Sequence, residues 1–166
     1  MRKYSLLLCF MLMLACALTS CKPKYVSPLE SPRAEMPENA PQELDFVQMH
    51  NNVIEQFSGD ETYMFVKALD INGSNEPKEI SVEIEVMEKT ADEAVEVFLS
   101  QLITAISQDA CAQDMRYTAP DAESFGSVFD SYKLHYTVMR GAEIYLDEEI
   151  DTDTEIPVTP GLEIDL

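Results

Sequence analysis

The densest set of reactive side chains in this 166-residue sequence is Asp147-Glu148-Glu149-Ile150-Asp151-Thr152-Asp153-Thr154-Glu155. Hard cations such as Ca²⁺ are held by several carboxylate oxygens at once, so metal chemistry belongs here first. In an extended chain Asp147, Glu149, Asp151, Asp153 and Glu155 project from one face at intervals of about 6.6 Å. The alternation also fits an amphipathic strand with an acidic solvent face. Ile144, Leu146, Ile150 and Ile156 then lie opposite, with Glu148 as an interruption, and the charge discourages edge-to-edge pairing. The run lacks the turn glycine and the distant bidentate glutamate of a calcium loop. A solvated acidic face is therefore the expectation, with a calcium site as its alternative.

Other chemistry has thinner support. His50 and His135 fall on separate predicted elements and show no ligand spacing. The sequence carries no glycine-rich phosphate loop, nucleophile elbow, HExxH or paired CxxC. Two carboxylates can always serve as acid and base, but 31 acidic residues make any such pair unspecific. The expectation is a noncatalytic protein without a cofactor. A formal net charge of -20, from 31 acids against 11 bases, repels nucleic acid phosphates and disfavours electrostatic docking on anionic head groups.

The amino terminus carries the strongest motif. Arg2 and Lys3 precede thirteen consecutive apolar residues, 6–18. A helix of that length spans about 20 Å, short of the roughly 30 Å hydrocarbon core, and reads as a signal-peptide h-region. Leu18-Thr19-Ser20-Cys21, which ends it, resembles the bacterial lipobox. The resemblance covers the leader alone. It implies cleavage after Ser20 by signal peptidase II and a diacylglyceryl thioether on Cys21, usually with a third acyl chain on its amine. At about 0.8 kcal/mol per buried methylene, two or three chains anchor a protein stably in a bilayer. Cleavage by signal peptidase I, giving a soluble secreted protein, is the competing reading. Lys22 stands where the family's inner-membrane retention signal has Asp, and Lys22-Pro23-Lys24-Tyr25 departs from the acidic cluster of surface-exported lipoproteins. The resemblance thus implies an outer-membrane protein facing the periplasm.

After such processing the chain keeps 146 residues and a charge of -22. Cys9 and Cys16 leave with the leader and Cys21 carries lipid, so Cys111 has no intramolecular partner. It reads as a small apolar residue near a helix end, with a reactive thiol as the alternative. Residues 21–42 hold five of the nine prolines and form an extended tether that keeps the remainder of the chain tens of ångströms from the membrane.

What must position the acidic run is a folded domain over residues 43–166. Phe46, His50, Val53 and Phe57, flanked by Leu44, Val47 and Ile54, predict an amphipathic helix ending near Gly59, with His50 at the core boundary. Residues 62–71 and 79–88 predict two strands joined by a loop at Asn72-Gly73-Ser74-Asn75 that runs on to Lys78. Thr90 and Glu93 form a capping box for a helix to about Cys111, with Val95, Phe98, Leu99, Leu102, Ile103 and Ile106 on one stripe. Phe125, Val128 and Phe129 suggest a short apolar element. Tyr132, Leu134, Tyr136 and Val138 face inward on a third strand, which places His135 outward. A fourth strand begins after Gly141, and residues 160–166 alternate as a terminal strand, self-paired or offered to a partner.

The fold class expected is α+β, a two-layer sandwich of a mainly antiparallel sheet with one or two helices packed on one face. The organisation is a signal peptide over 1–20, a proline-rich tether over 21–42 and one domain over 43–166. The functional expectation is a membrane-anchored envelope lipoprotein acting as a noncatalytic binding or assembly module. It is held in the lipid bilayer through Cys21 and has an envelope protein as its partner. The alternative is a carboxylate-dependent hydrolase or a calcium-binding accessory acting on envelope glycans.

Overall fold

Alternating burial makes the strands. On β3 (Lys133–Arg140) Leu134, Tyr136 and Val138 are buried while His135, Thr137 and Met139 face the other way, as the period of two requires. The same alternation buries Ile80, Val82, Ile84 and Val86 on β2 (Lys78–Val86). A computed structural model describes residues 41–162 of the chain. The signal peptide, Cys21, nearly all of the tether and the end of the proposed terminal strand lie outside the described residues.

The described elements run α1 (Phe46–Phe57), β1 (Val66–Asn75), β2, α2 (Asp92–Gln113), β3 and β4 (Glu143–Ile150). Two short 3₁₀ turns lie at Glu61–Tyr63 and Val128–Asp130. The four strands form one sheet in the order β1-β2-β3-β4. Both helices pack on one face of it, giving the α+β two-layer arrangement that the sequence predicts. Each half repeats a helix followed by a hairpin, although the sequence shows no repeat.

The sheet is mostly antiparallel, but its central pair is not. β2 and β3 run parallel, from Glu79 opposite Lys133 to Val86 opposite Arg140. Parallel neighbours need a long crossover, and α2, the helix expected between the second and third strands, provides it. The predicted stripe on α2 is buried in full. Among the described residues no helix is long and apolar enough to cross a membrane. The capping box does not form. The Thr90 hydroxyl donates back to the Met87 carbonyl (2.8 Å), and Ala91 becomes an N-cap without a side-chain hydrogen bond.

The first hairpin is displaced from its predicted place. Residues 62–65 precede the sheet, and Asn72-Gly73-Ser74-Asn75 is strand, leaving a two-residue turn at Glu76-Pro77. Local turn propensity loses to two tertiary contacts. A Cβ on Gly73 would lie 2.3 Å from the Phe46 ring and 2.7 Å from the Glu79 carbonyl oxygen, so only glycine lets α1 approach. The Asn75 amide pairs with Leu44 as a strand would. Its Oδ1 accepts from the Leu44 N–H (3.0 Å) and its Nδ2 donates to the Leu44 carbonyl (3.0 Å). The buried Tyr132 hydroxyl reaches Asn75 Oδ1 and the Gln42 carbonyl, so Gln42, placed in the tether by sequence, already belongs to the domain.

The helices run in opposite directions. At one end Gln113 of α2 bonds the Asp45 N–H (2.6 Å), while at the other Phe57 of α1 stacks edge-on against Phe98 (5.2 Å between centroids). Buried Asp109 lies between them and accepts from Asn52 (2.7 Å) and Gln113 (2.7 Å). On α1 the buried side chains are Met49 and Val53, whereas Val47 is 73% exposed.

Asn75→Ala removes the partner of both Leu44 backbone groups and is expected to cost about 2 kcal/mol. Gly73→Ala, which must displace Phe46 and a backbone oxygen, is expected to cost about 1–3 kcal/mol. Asn72→Ala, on the exposed face of the same strand, should stay within about 0.5 kcal/mol. Urea denaturation of the three variants checks this order, with the m-value unchanged.

Candidate functional site

α1 lies along the outer edge of β1 but covers only part of it. His50 faces Ile71, with Nδ1 3.2 Å from its carbonyl oxygen and 3.4 Å from its nitrogen, and it stands 3.3 Å from Asp70 Oδ1. This is the boundary histidine that the helical stripe predicts. Beyond it the helix ends at Phe57, the chain reverses through Gly59 at φ +79°, and Asp60 caps the 3₁₀ turn by accepting from the Thr62 N–H (2.8 Å).

The departure of the helix from the strand leaves a groove of about 460 Å³. Ile54 and Phe57 form one wall, and Tyr63, Met64, Val66 and Leu69 form much of the rest. Its aromatic support is a cluster of Phe57, Tyr63, Phe65 and Phe98, with ring centroids 5.1–6.4 Å apart and most pairs edge-to-face. Such pairs add about 0.5–1.5 kcal/mol each to plain burial, which makes this a firm floor. Met64 is 67% exposed at the mouth. Asp60, Glu61 and Lys67 complete the lining, and Lys67 is ion-paired to Glu85 of β2 (2.9 Å). Among the described residues no cation pairs with Asp60 or Glu61. A second recess of about 350 Å³ shares Phe57, Asp60 and Tyr63 with the groove and extends over α2 to Leu162.

The acidic run does not make one ladder. Asp147 and Glu149 share the outer face of β4, but the strand ends at Ile150, and Asp151, Asp153 and Glu155 lie in the turns beyond it. Asp147, Glu149 and Asp151 find partners on β3. Asp147 accepts from His135 (2.9 Å) and Thr137 (3.1 Å), while Lys133 pairs with Asp151 and stands 4.0 Å from Glu149. Among the described residues no group of three or more His, Cys, Asp or Glu is placed to hold a metal ion. Ile144 is also not opposite the acids. A bulge between Leu146 and Ile144 turns Ile144 to the outer face, 63% exposed, and Tyr145 sits beneath the Arg140 guanidinium at 3.6 Å.

The outer sheet face is open and acidic, with Asp70, Glu79, Glu83 and Glu85 joining Asp147 and Glu149. Hydrogen bonding lowers the carboxyl pKa of Asp147 through His135 and then Thr137, of Asp60 through the Thr62 N–H, and of Asp92 through Arg140. The Arg116 side chain does the same for Asp114. These groups favour the ionised form, the opposite of what a general acid needs. Cys111 is half-buried, and desolvation raises its thiol pKa, which disfavours the reactive thiolate. Pro160 and Gly161 form a turn, and Leu162 is held by the Ser100 hydroxyl through its N–H (3.2 Å).

The groove was not foreseen from sequence. Against known proteins, the chain matches no family model, no curated protein and no solved structure.

Because Asp147 has a lowered pKa in the folded protein, its contribution to stability is present above the ordinary value of 3.8 and lost as pH falls through the lowered one. Thermal melts from neutral pH to about pH 2 should therefore show a shallower acid limb for Asp147→Asn than for the parent. In the same instrument at neutral pH, millimolar Ca²⁺ should leave the melting temperature where an equal ionic strength of NaCl leaves it.

Proposed function

We propose that this chain is a bacterial envelope lipoprotein, anchored through acylated Cys21 in the outer membrane. Facing the periplasm, it acts as a noncatalytic binding or assembly module for another envelope protein. The observation that carries the binding half of this reading is the apolar groove between the end of α1 and the open edge of β1. Its firm aromatic floor and exposed Met64 suit a protein partner. The lipobox resemblance at Leu18-Thr19-Ser20-Cys21 carries the anchoring half.

The distribution of acids supports a module over a glycan hydrolase. Acids are spread over an open sheet face, and the carboxyls with lowered pKa, Asp147 on that face and Asp60, Asp92 and Asp114 at turns and helix ends, are scattered over separate elements. Retaining and inverting glycosidases instead place two carboxyls across a cleft, with one of them kept protonated.

A photo-crosslinking amino acid at Met64 of the full chain, expressed in bacterial cells, tests both halves. Irradiation should join the chain to another envelope polypeptide, and the same label at Val47, exposed elsewhere on α1, should not. Cys21→Ser should move the chain out of the membrane fraction. No adduct at Met64 would contradict the binding reading, and an unchanged membrane fraction would contradict the anchor.

A further inference from the structure

We infer that the groove receives an extended segment of an envelope protein carrying Lys or Arg at its flank, which adds to the sheet as a fifth strand along residues 66–69 of β1. This rests on the binding-module reading and names the class of partner.

The backbone of β1 locates the free stretch. β1 pairs with β2 alone, so its other edge has no strand partner among the described residues. That edge is closed in two places. His50 faces the N–H and carbonyl of Ile71, and Leu44 lies against Asn75. Backbone groups alternate sides along a regular strand, so Leu69 turns its N–H and carbonyl to the same edge as Ile71, and the register shift between Val66 and Ala68 marks where that alternation ends. Here the helix supplies Ile54 and Phe57 to the groove wall, and among the described residues it makes no hydrogen bond to Leu69. An incoming strand sits about 4.8 Å from its neighbour. Alternate side chains of such a strand would enter the groove against Phe57, Met64 and Leu69 while its backbone bonds to β1, the general mode of strand addition. The opposite edge of the sheet is a poorer acceptor, because β4 carries Glu143, Asp147, Glu148 and Glu149 there and charge blunts edges.

Charge selects the partner. Residues 41–162 contain 26 acidic and six basic side chains. Five of those bases are engaged within the domain: Lys67 with Glu85, Lys78 over the Tyr132 ring, Arg116 with Asp114, Lys133 with Asp151 and Arg140 with Asp92. Asp60 and Glu61 line the groove without an ion pair among the described residues, and Lys67, which shares the lining, is taken up by Glu85. An acidic or neutral strand meets repulsion or nothing there, whereas a basic one gains attraction that steers and orients it. A second copy of this chain, with the same negative field, is disfavoured for the same reason.

Hydrogen–deuterium exchange on the detergent-solubilised full chain tests this, using two eight-residue probes, one alternating Val and Lys and one alternating Val and Glu. The Val-Lys peptide should slow exchange across residues 65–70 by about tenfold or more, and the Val-Glu peptide should not. The protection should weaken with added salt. Asp60→Asn with Glu61→Gln should lower the apparent affinity about threefold at low salt, and Asn keeps the cap on the 3₁₀ turn. Equal protection by both peptides, none by either, or protection already present without peptide because a segment of the chain itself fills the edge would each overturn the proposal. An adduct at Met64 in cells without peptide protection at β1 overturns strand addition alone. Absence of both overturns the binding reading as well.

Discussion

The parallel pairing of β2 with β3 is the constraint on which the rest of this structure depends. Two hairpins can join into one sheet in several ways, and the parallel join requires a connection that leaves one end of the sheet and returns to the other. α2 and the segment after it make that return, and its buried stripe of Val95, Phe98, Leu99, Leu102, Ile103 and Ile106 is what holds the sheet from one side. Because the crossover runs over a single face, the other face stays open. The hydrogen bonds of Asp109 and Gln113 then hold α1 beside α2, which brings α1 to the edge of β1.

This one-sided layering sets the location of every candidate for function. The open face collects the acids, and their repulsion is relieved by His135 and Lys133 from the neighbouring strand. The β1 edge is covered only as far as α1 reaches, since the helix stops at Phe57 and the chain must turn back through Gly59 to enter the strand. The groove is therefore a product of helix length. An α1 one turn longer would extend by about 5.4 Å and cover residues that are now open. The domain combines a groove walled by Ile54, Phe57, Tyr63 and Met64 with a strongly negative surface, which is a pairing suited to binding a partner of opposite charge.

Much of this was legible in the sequence where one element's burial decides its own pattern. The stripe on α2 and the inward set Tyr132, Leu134, Tyr136 and Val138 are such cases, and both are buried as read. The failures occur where a distant residue overrides local preference. Asn72-Gly73-Ser74-Asn75 has the composition of a turn, yet Phe46 packs on Gly73 and Leu44 pairs with Asn75, which makes it strand. The bulge at Tyr145 breaks the period of two and turns Ile144 outward, with the Arg140 stack holding Tyr145 in place. The acidic run alternates as a strand only to Ile150, because beyond it the chain turns, with the Thr154 N–H donating to the Asp151 carbonyl (2.9 Å), a contact that alternation along the sequence does not reveal. The groove had no sequence signature of its own, because it is the space between two elements and its existence depends on where one of them ends.

The direction of the central pair can be measured outright. In the parallel register Glu79 stands beside Lys133 and Glu83 beside Thr137, all on the outer face. Paired cysteines at 79 and 133, and separately at 83 and 137, should each be joined by a short thiol-specific crosslinker in the folded full chain, with the links mapped by fragmentation mass spectrometry. The pairs 79 with 137 and 83 with 133 should not be joined, since about four residues of strand, roughly 13 Å, separate them. Linking of the second set in place of the first would mean that β2 and β3 run antiparallel. The crossover, the one-sided helix layer and the groove derived from them would then all be wrong.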